Sequence, residues 1–133
     1  MSETGLITLP SAHDVPTTLQ RLLAVLAAKG ITVFAQIDHA AGAANVGMAL
    51  RPTTVVIFGN PNAGTPLMQV VQTAGIDLPL KILLWQDAQG ATQVSYNDPA
   101  WIAARHGPAA GTVPAVAALS GALDGLARHA GGA

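Results

Sequence analysis

Cysteine is absent from this sequence, and charged residues are unusually few. Without cysteine the chain has no disulfide, no thiolate metal site, no iron–sulfur cluster and no cysteine nucleophile. Charged side chains make up 10% of the residues, against roughly 25% in ordinary globular domains. Six lysines and arginines face seven acidic residues, for a net charge of -1. This near-balance argues against nucleic acid as a partner, because binding to it normally requires a basic excess or patch.

Targeting and membrane-spanning segments are also missing from the sequence. The N-terminal residues MSETGLITLPSAHDV lack the basic start and apolar run that are typical of a secretory signal. The longest apolar helical stretch, LLAVLAA at 22–28, is far shorter than the roughly 20 residues that span a bilayer. The sequence therefore predicts a cytoplasmic protein with no membrane partner.

Apolar residues, in contrast, make up 50% of the 133 residues. A chain of this length forms one domain around a single core, and we assign residues 1–133 to that domain. Because so few charges cannot readily cover its surface, we expect a homo-oligomer, most simply a dimer. A final helix is predicted over 113–130, followed by a loose tail over 131–133.

Hydrophobic periodicity predicts a strand, a helix, four strands and a long helix, with short helices in the connections. Asp14, Thr65 and Asp98, each followed closely by proline, are N-cap signals that start three of the helices. The predicted strands cover 5–9, 31–39, 53–59, 80–87 and 91–97. Hairpins combined with a terminal helix indicate the α+β class, with a mostly antiparallel sheet covered on one side.

The uncovered side of this sheet is a candidate dimer interface. Strand alternation places Phe34 of the second strand on it, together with Leu83 and Trp85 of the fourth. The same alternation puts Val33 and Ile37 together on the opposite side. A half-apolar, uncovered face favours a dimer interface, and the alternative is scattered surface apolar residues, which are common.

The segment GNPNAGTP at 59–66 has the outline of a phosphate-binding loop between a strand and a helix. The positions that need lysine and serine or threonine hold Thr65 and Pro66 instead, which excludes a Walker-type nucleotidase. Two interpretations remain. Asn60, Gly64 and Thr65 at a helix start can bind a small anion, or the segment is a tight turn that requires glycine and asparagine.

The four histidines are the only acid–base groups suited to neutral pH. We expect His13 and His129 to be solvent residues, and His106 to have a structural role at a helix C-terminus. His39 is different, because it follows an apolar strand, adjoins Asp38 and precedes the small residues AAGAA. It is a hydrogen-bonded structural histidine, a general acid or base, a hydrogen-bonding partner of a ligand, or a ligand of a metal or haem iron. In the last case Met68 is a soft second ligand.

Other catalytic patterns are missing or ambiguous. The chain has no G-x-S-x-G elbow of a serine hydrolase, and its few acids lie mostly at caps or turns. Within YNDPAW, Tyr96 shares a strand face with Val94 and Thr92, so its hydroxyl can line a cavity. The alternative is a capping turn with a packed aromatic side chain.

Three segments together resemble the domain of unknown function 302 family. They are IDHAAGA at 37–43, FGNPNAGTPLM at 58–68, and LPLKILLWQD followed by SYNDPAW within 78–101. The resemblance covers about residues 5–107. It implies a TATA-binding-protein-like fold, in which a curved antiparallel sheet grips a long helix, often as a dimer and with no settled activity. The positions that match the family motifs are Asp38, His39, Asn60, Pro61, Gly64, Thr65, Pro66, Met68, Tyr96 and Asn97.

Together these observations favour a small-ligand-binding domain centred on His39. Met68 and Tyr96 are expected nearby, and Asp38, Asn60 and Thr65 complete the predicted ligand site. The cofactor is left open, with haem or a transition metal bound by His39 and Met68 as the candidates. The first alternative is a non-catalytic homodimeric interaction module that uses the predicted sheet interface. The second is a small enzyme with His39 as its acid or base.

Overall fold

A computed structural model describes residues 3–133. At positions 108 and 112 it describes only the backbone. Strands and helices follow one another along this range largely in the predicted order. They are β1 Leu6–Pro10, α1 Val15–Ala28, β2 Thr32–Asp38, α2 His39–Asn45, β3 Thr53–Gly59, α3 Pro61–Val70, β4 Leu80–Gln86, β5 Thr92–Asn97, α4 Pro99–His106 and α5 Pro114–Gly131. Short 3₁₀ helices at Gln72–Ile76 and Pro108–Thr112 complete the chain. The predicted α+β class and element order are confirmed.

The five strands form one antiparallel sheet in the order β1-β5-β4-β3-β2. Helices α1 and α5 pack on one of its faces. Leucine side chains of both helices face this sheet, with Leu22 and Leu26 fully buried in α1 and Leu123 and Leu126 almost fully buried in α5. Alternate residues of the central strands complete the core: Val56, Phe58, Ile82, Leu84, Val94 and Tyr96.

The opposite side of the sheet is called the open face below. Strand alternation assigns to it Val55 and Ile57 of β3, Lys81, Leu83 and Trp85 of β4, and Gln93, Ser95 and Asn97 of β5. Most of these side chains are only partly buried. Helices α1 and α5 lie on the other face of the sheet, whereas His39, the first residue of α2, lies at the open face.

A second, smaller core lies beside the sheet. It is formed by α3, α4, the two 3₁₀ helices and the first turns of α5. Its buried members are Leu67, Ala74, Ala103, Ala110 and Val116, and Met68 packs against them. Met68 therefore contributes to packing, which is the usual role of an internal methionine.

A β-bulge in β2 changes the predicted strand faces. Val33 pairs with Phe58, but Ala35 pairs with Ile57, so Phe34 is the extra residue. Beyond the bulge the side chains swap sides, and Ile37 lies opposite Val55 on the open face. The prediction that Val33 and Ile37 share a face is therefore wrong, because simple alternation takes no account of an inserted residue.

Helix α3 begins earlier than predicted. Its N-cap is Asn60, whose Oδ1 accepts a hydrogen bond from the backbone N–H of Asn62 at 2.9 Å, and Pro61 follows as the first helical residue. This is the same cap-plus-proline signal as Thr65-Pro66, five residues earlier. Pro66 lies inside the helix, where it removes one intrahelical hydrogen bond. The interpretation of NPNAG at 60–64 as a tight turn is wrong, because Pro61 to Gly64 form the first turn of α3.

The C-terminal residues are packed, contrary to the predicted loose tail. Gly131 belongs to α5, and its carbonyl accepts a hydrogen bond from the backbone N–H of Ala12 at 2.8 Å. His13, which was expected to be a solvent residue, donates from Nε2 to the carbonyl of Gly132 at 2.6 Å. A Cβ at position 131 would lie 3.1 Å from the Pro10 carbonyl oxygen. These contacts join the end of the chain to the segment that follows β1.

Candidate functional site

The first candidate site is a cleft of about 260 Å³ between α3 and one end of the sheet. We call it the α3 cleft. Its lining is formed by Phe34, Asn60, Pro61, Ala63, Gly64, Thr65, Met68, Gly75, Leu78, Pro79, Leu80 and Leu119. Three predicted ligand-binding residues, Asn60, Thr65 and Met68, thus lie together. Phe34, predicted as an interface residue, lies with them.

Glycines and the β2 bulge shape this cleft. The bulge directs Phe34 toward Gly59, where an added Cβ would lie 3.5 Å from the aromatic Cε2. On the other wall, a Cβ at Gly64 would lie 3.5 Å from Leu78 Cδ1, and one at Gly75 would lie 3.4 Å from Met68 Sδ. Larger side chains at positions 64 and 75 would therefore fill the cleft or displace its wall.

The cleft is apolar apart from two side chains. Asn60 uses its amide oxygen to cap α3, and its amide nitrogen remains a donor. Thr65 adds one hydroxyl group, and none of the lining residues carries a charge. An apolar pocket with a few polar groups is the usual form of a small-molecule site. The arrangement suits an uncharged organic molecule with a single polar group.

The small-anion interpretation of 59–66 loses its geometric basis. It requires free backbone N–H groups near Gly64 and Thr65 at the start of a helix. Because α3 starts at Pro61, Gly64 already donates its N–H to the Asn60 carbonyl, at 3.3 Å. Thr65 lies in the second turn of α3.

His39 lies in a different depression, on the open face. It has a volume of about 350 Å³, and we call it the open-face groove. Its lining is formed by Leu6, His39, Val55, Lys81, Leu83, Ser95, Tyr96 and Asn97. Sequence reasoning did not place Lys81 in the same groove as His39. The signal was present, because alternation along β4 already placed Lys81 beside Leu83 on this face.

His39 and the α3 cleft lie at opposite ends of β3. His39 directly follows Asp38, which pairs with Thr54, whereas Asn60 directly follows Gly59. Gly59 lies five positions after Thr54 along the strand, or about 17 Å away at roughly 3.4 Å per residue. The structure therefore does not bring His39 and Met68 together, and within one protomer they cannot share a metal ion.

Asp38 has a structural partner of its own. It is the N-cap of α2, and its Oδ1 accepts a hydrogen bond from the backbone N–H of Ala41 at 2.9 Å. No group of three or more histidine, aspartate or glutamate side chains is placed to hold a metal ion within residues 3–133.

Tyr96 lies on the helix side of the sheet. It borders the open-face groove, but its side chain belongs to the main core and the residue is only 5% exposed. The hydroxyl bonds with the Asp124 carboxylate of α5. Burial raises the pKa of Tyr96 above its ordinary value, and the negative charges of Asp124 and Asp98 raise it further. The Tyr96 hydroxyl is thus bonded to a side chain of α5 on the core side of the sheet.

A hydrogen-bonded cluster around His106 was not predicted in detail. His106 Nε2 donates to Asp77 Oδ2 at 2.6 Å, and Nδ1 bonds with Thr73 Oγ1 at 2.8 Å. Arg105 donates from Nη1 to both oxygens of Asp77, at 2.9 and 3.0 Å. The histidine side chain is 8% exposed. This cluster ties the 3₁₀ segment after α3 to the end of α4, beside the cleft residues Gly75 and Leu78.

The three predicted interface residues do not form one patch. Leu83 and Trp85 both lie on the open face, and Trp85 donates from Nε1 to Ser95 Oγ at 2.9 Å. Phe34 lies at the α3 cleft, next to Gly59. Gly59 is four residues along β3 from Val55, the partner of Leu83, or about 14 Å at roughly 3.4 Å per residue.

Comparison with known families assigns the chain. The model of the family described as "Domain of unknown function DUF302" matches residues 7–126. The chain belongs to the DUF302 family. A solved structure, described as that of an uncharacterized conserved DUF302 protein from Bacillus stearothermophilus, has a TM-score of 0.83 with 19% sequence identity. The superposition covers 95% of this chain and 98% of the chain in that structure. The predicted family is thus confirmed.

Curated relatives of this DUF302 chain carry a more specific name. "Fluoride-specific ion channel FluC 1" of Brucella suis biovar 1 (strain 1330) is 40% identical over 130 residues, which are 98% of this chain and 51% of that protein. The protein of the same name from Brucella abortus biovar 1 (strain 9-941) is also 40% identical, with 48% of its length matched. The chain spans about half the length of these relatives. Within residues 3–133 no helix combines the length and apolarity that crossing a membrane requires.

Proposed function

We propose that this DUF302 chain is a small-ligand-binding domain and that the α3 cleft is its binding site. The observation that carries the proposal is the uncharged, largely apolar cleft of about 260 Å³ with Asn60 and Thr65 at its wall. Its volume is slightly below the roughly 300–1,000 Å³ of sites for drug-sized molecules. The expected ligand is therefore a small uncharged organic molecule that accepts one hydrogen bond from Asn60 or bonds with the Thr65 hydroxyl.

Haem and transition metals are not part of this proposal. The α3 cleft contains no histidine, and Met68 packs against the second core and Gly75. A thioether alone is a weak basis for a metal site, because transition metals in proteins are usually held by several nitrogen, oxygen or thiolate ligands.

Native mass spectrometry of the purified protein tests the proposal. We expect the parent protein to carry an added small mass, either as purified or after incubation with indole, an apolar probe with one polar group. Gly64→Leu should remove that mass, because its side chain extends from a point 3.5 Å from Leu78 into the cleft. Gly121→Leu is the matched control, since a Cβ there meets nothing within 4 Å.

Two results would contradict the proposal. One is a parent protein that stays bare even after incubation with indole. The other is a Gly64→Leu variant that is folded, as shown by circular dichroism, and retains the same added mass as the Gly121→Leu control.

The curated relatives support a second proposal, that this domain acts as an accessory module of a fluoride channel. The support is the 40% identity with about half of proteins that bear that name. The test uses the Brucella suis relative without its matched half, reconstituted in liposomes with a fluoride electrode. Adding this chain should change the rate or the fluoride dependence of efflux. Identical efflux with and without the chain, at saturating concentrations, would refute the accessory role.

Self-association through the open face remains a proposal as well. Its support is the partly exposed Leu83 and Trp85, with the exposed Ile37 on the same face. Light scattering should give the mass of a dimer for the parent and of a monomer for Leu83→Glu. Ile76→Glu, at a 75% exposed position outside this face, should leave the dimer intact. A monomeric parent, or a dimeric Leu83→Glu variant, would contradict this interface. An acid–base role for His39 in catalysis stays a prediction.

A further inference from the structure

Phe34 is the most exposed aromatic residue of the protein, and a β-bulge sets its position. The chain has two tryptophans, two phenylalanines and one tyrosine. Phe34 is 54% exposed, whereas the other four are buried or partly buried. Val33 and Ala35 pair with consecutive residues of β3, so Phe34 is the inserted residue. Bulges are frequent beside functional sites, where they re-aim a side chain, and here the re-aimed side chain is an aromatic ring at the α3 cleft.

Phe34 and Pro79 border the same space above the backbone of Gly59. A Cβ at position 59 would lie 3.5 Å from Phe34 Cε2 and 3.6 Å from Pro79 Cβ, both ordinary contact distances. Glycine leaves this space open. A ligand that reaches the end of β3 can therefore lie against the backbone with the Phe34 ring beside it.

The thioether of Met68 lies on the α3 side of the cleft. A Cβ at Gly75 would lie 3.4 Å from its Sδ, and one at Gly64 would lie 3.9 Å from its Cε. Because neither glycine has a side chain, the end of Met68 is accessible at the cleft wall. Methionine sulfur makes favourable contacts with aromatic rings, often at the ring edge. The cleft thus contains two groups that favour an aromatic ligand.

Much of the remaining wall has no flexible side chains. It is formed by Pro61, Ala63, Gly64, Gly75 and Pro79. Glycine, alanine and proline have essentially no side-chain conformational entropy to lose on binding. Such a wall favours a rigid ring over a flexible alkyl chain, because neither the wall nor the ring has to be ordered when the ligand binds.

We propose that the α3 cleft selects aromatic ligands and that Phe34 and Met68 determine this preference. The proposal rests on the proposed function of the cleft and adds the class of its ligand. The aromatic ring contacts Phe34 and Met68, and the single polar group of the ligand bonds with Asn60 or Thr65. Aromatic pairs are stabilised beyond the burial of apolar area, and sulfur–aromatic contacts add to this. A saturated ring of the same size gains the burial alone.

Calorimetric titration with benzamide and cyclohexanecarboxamide tests the proposal on the intact chain. Both molecules have one uncharged amide and a six-membered ring. The saturated ring exposes more apolar surface, so hydrophobic burial alone would favour cyclohexanecarboxamide. We expect benzamide instead to bind at least about fivefold more tightly. Phe34→Leu should reduce this ratio to about twofold or less, because leucine keeps an apolar contact and removes the ring. Phe34→Tyr keeps the ring and should retain the preference.

The contribution of the sulfur is measured with a second pair of variants. Met68→Leu removes the sulfur at nearly constant volume and should lower the benzamide affinity by about twofold or more. Met48→Leu is the matched control, since Met48 is 68% exposed and does not line the cleft. In NMR spectra of the parent, benzamide should cause a ring-current shift of the Met68 methyl signal, and cyclohexanecarboxamide should cause none.

The outcomes separate the ligand class from the existence of the site. A parent protein that binds neither amide nor indole would refute the α3 cleft as a ligand site, and the aromatic preference with it. A parent that binds cyclohexanecarboxamide as tightly as benzamide would keep the cleft as a ligand site and overturn the aromatic preference. An unchanged ratio in Phe34→Leu, shown to be folded by circular dichroism, would overturn the role of Phe34.

Discussion

Tyr96 shows how neighbouring residues decide the chemistry of a single side chain. The sequence placed it correctly on one face with Val94 and Thr92, and that face proved to be the core. Its hydroxyl meets Asp124, which lies 28 residues later in α5. A partner at this distance in sequence depends on how helix and sheet dock, and no local pattern announces it.

The hydroxyl of Tyr96 should titrate at a higher pH in the folded protein than in the unfolded chain. Burial and the charges of Asp124 and Asp98 hold its pKa above the ordinary value of 10.0. The protonated phenol therefore stabilises the fold fully below pH 10, and this contribution is lost as pH rises through the folded-state pKa. Because Tyr96 is the only tyrosine, tyrosinate absorbance at 295 nm reports it alone. The midpoint should be higher in folded protein than in urea, and an equal or lower folded midpoint would contradict the account.

Alanine substitutions at Gly64 and Gly121 separate an effect on helix stability from an effect on the volume of the α3 cleft. Both glycines lie inside helices, so alanine at either position should raise the free energy of unfolding by about 0.5–1 kcal/mol. Only Gly64→Ala places a methyl group in the α3 cleft, 3.5 Å from Leu78. Urea unfolding should show a gain in both variants, and indole affinity should fall in Gly64→Ala alone. A loss of stability in Gly64→Ala would show that the cleft wall cannot accept the methyl group.

At the scale of elements, two local features explain where the structure differs from the sequence-based prediction. Asn60-Pro61 and Thr65-Pro66 are equivalent helix starts in the same ten residues, and the structure uses the earlier one. The bulge at Phe34 is invisible in a strand that alternates without interruption. These two features build the α3 cleft, and Asn60, Thr65 and Met68 therefore line this cleft and do not lie with His39, where the sequence analysis had placed them.

The His106 cluster gives a prediction for the elements around the cleft. Replacing His106 by alanine leaves Thr73 without its partner and removes the 2.6 Å bond to Asp77. Loss of a hydrogen bond to a charged group should lower the free energy of unfolding by about 1–3 kcal/mol. Hydrogen exchange should also become faster in the 3₁₀ segment Gln72–Ile76. His129→Ala, at an exposed position in α5, is the control, and equal stability of the two variants would contradict a role for the cluster.

At the scale of the whole molecule, the fold was largely predictable. Hydrophobic periodicity, hairpins and a terminal helix predicted a mostly antiparallel sheet covered on one side, and the structure confirms it. These patterns repeat over many residues, so one misplaced residue does not change the conclusion. The position of the α3 cleft could not be predicted in the same way, because it depends on which strand ends meet which helix.

The main core supplies a prediction at this scale. Leu26 is completely buried between α1 and the sheet. Its replacement by alanine should lower the free energy of unfolding by about 2–5 kcal/mol through lost burial and the cavity that remains. Leu50→Ala, at a 49% exposed position, should change stability much less. Comparable losses in the two variants would contradict the packing described.

The most direct test of the central claim is an amide NMR titration of the protein with indole. The account predicts saturable shift changes concentrated at the α3 cleft, around Gly64, Gly75 and Leu80, and their loss in Gly64→Leu. The Gly121→Leu control should reproduce the parent. Shift changes spread over the surface, or confined to the open face around His39, would contradict the α3 cleft as the ligand site of this protein.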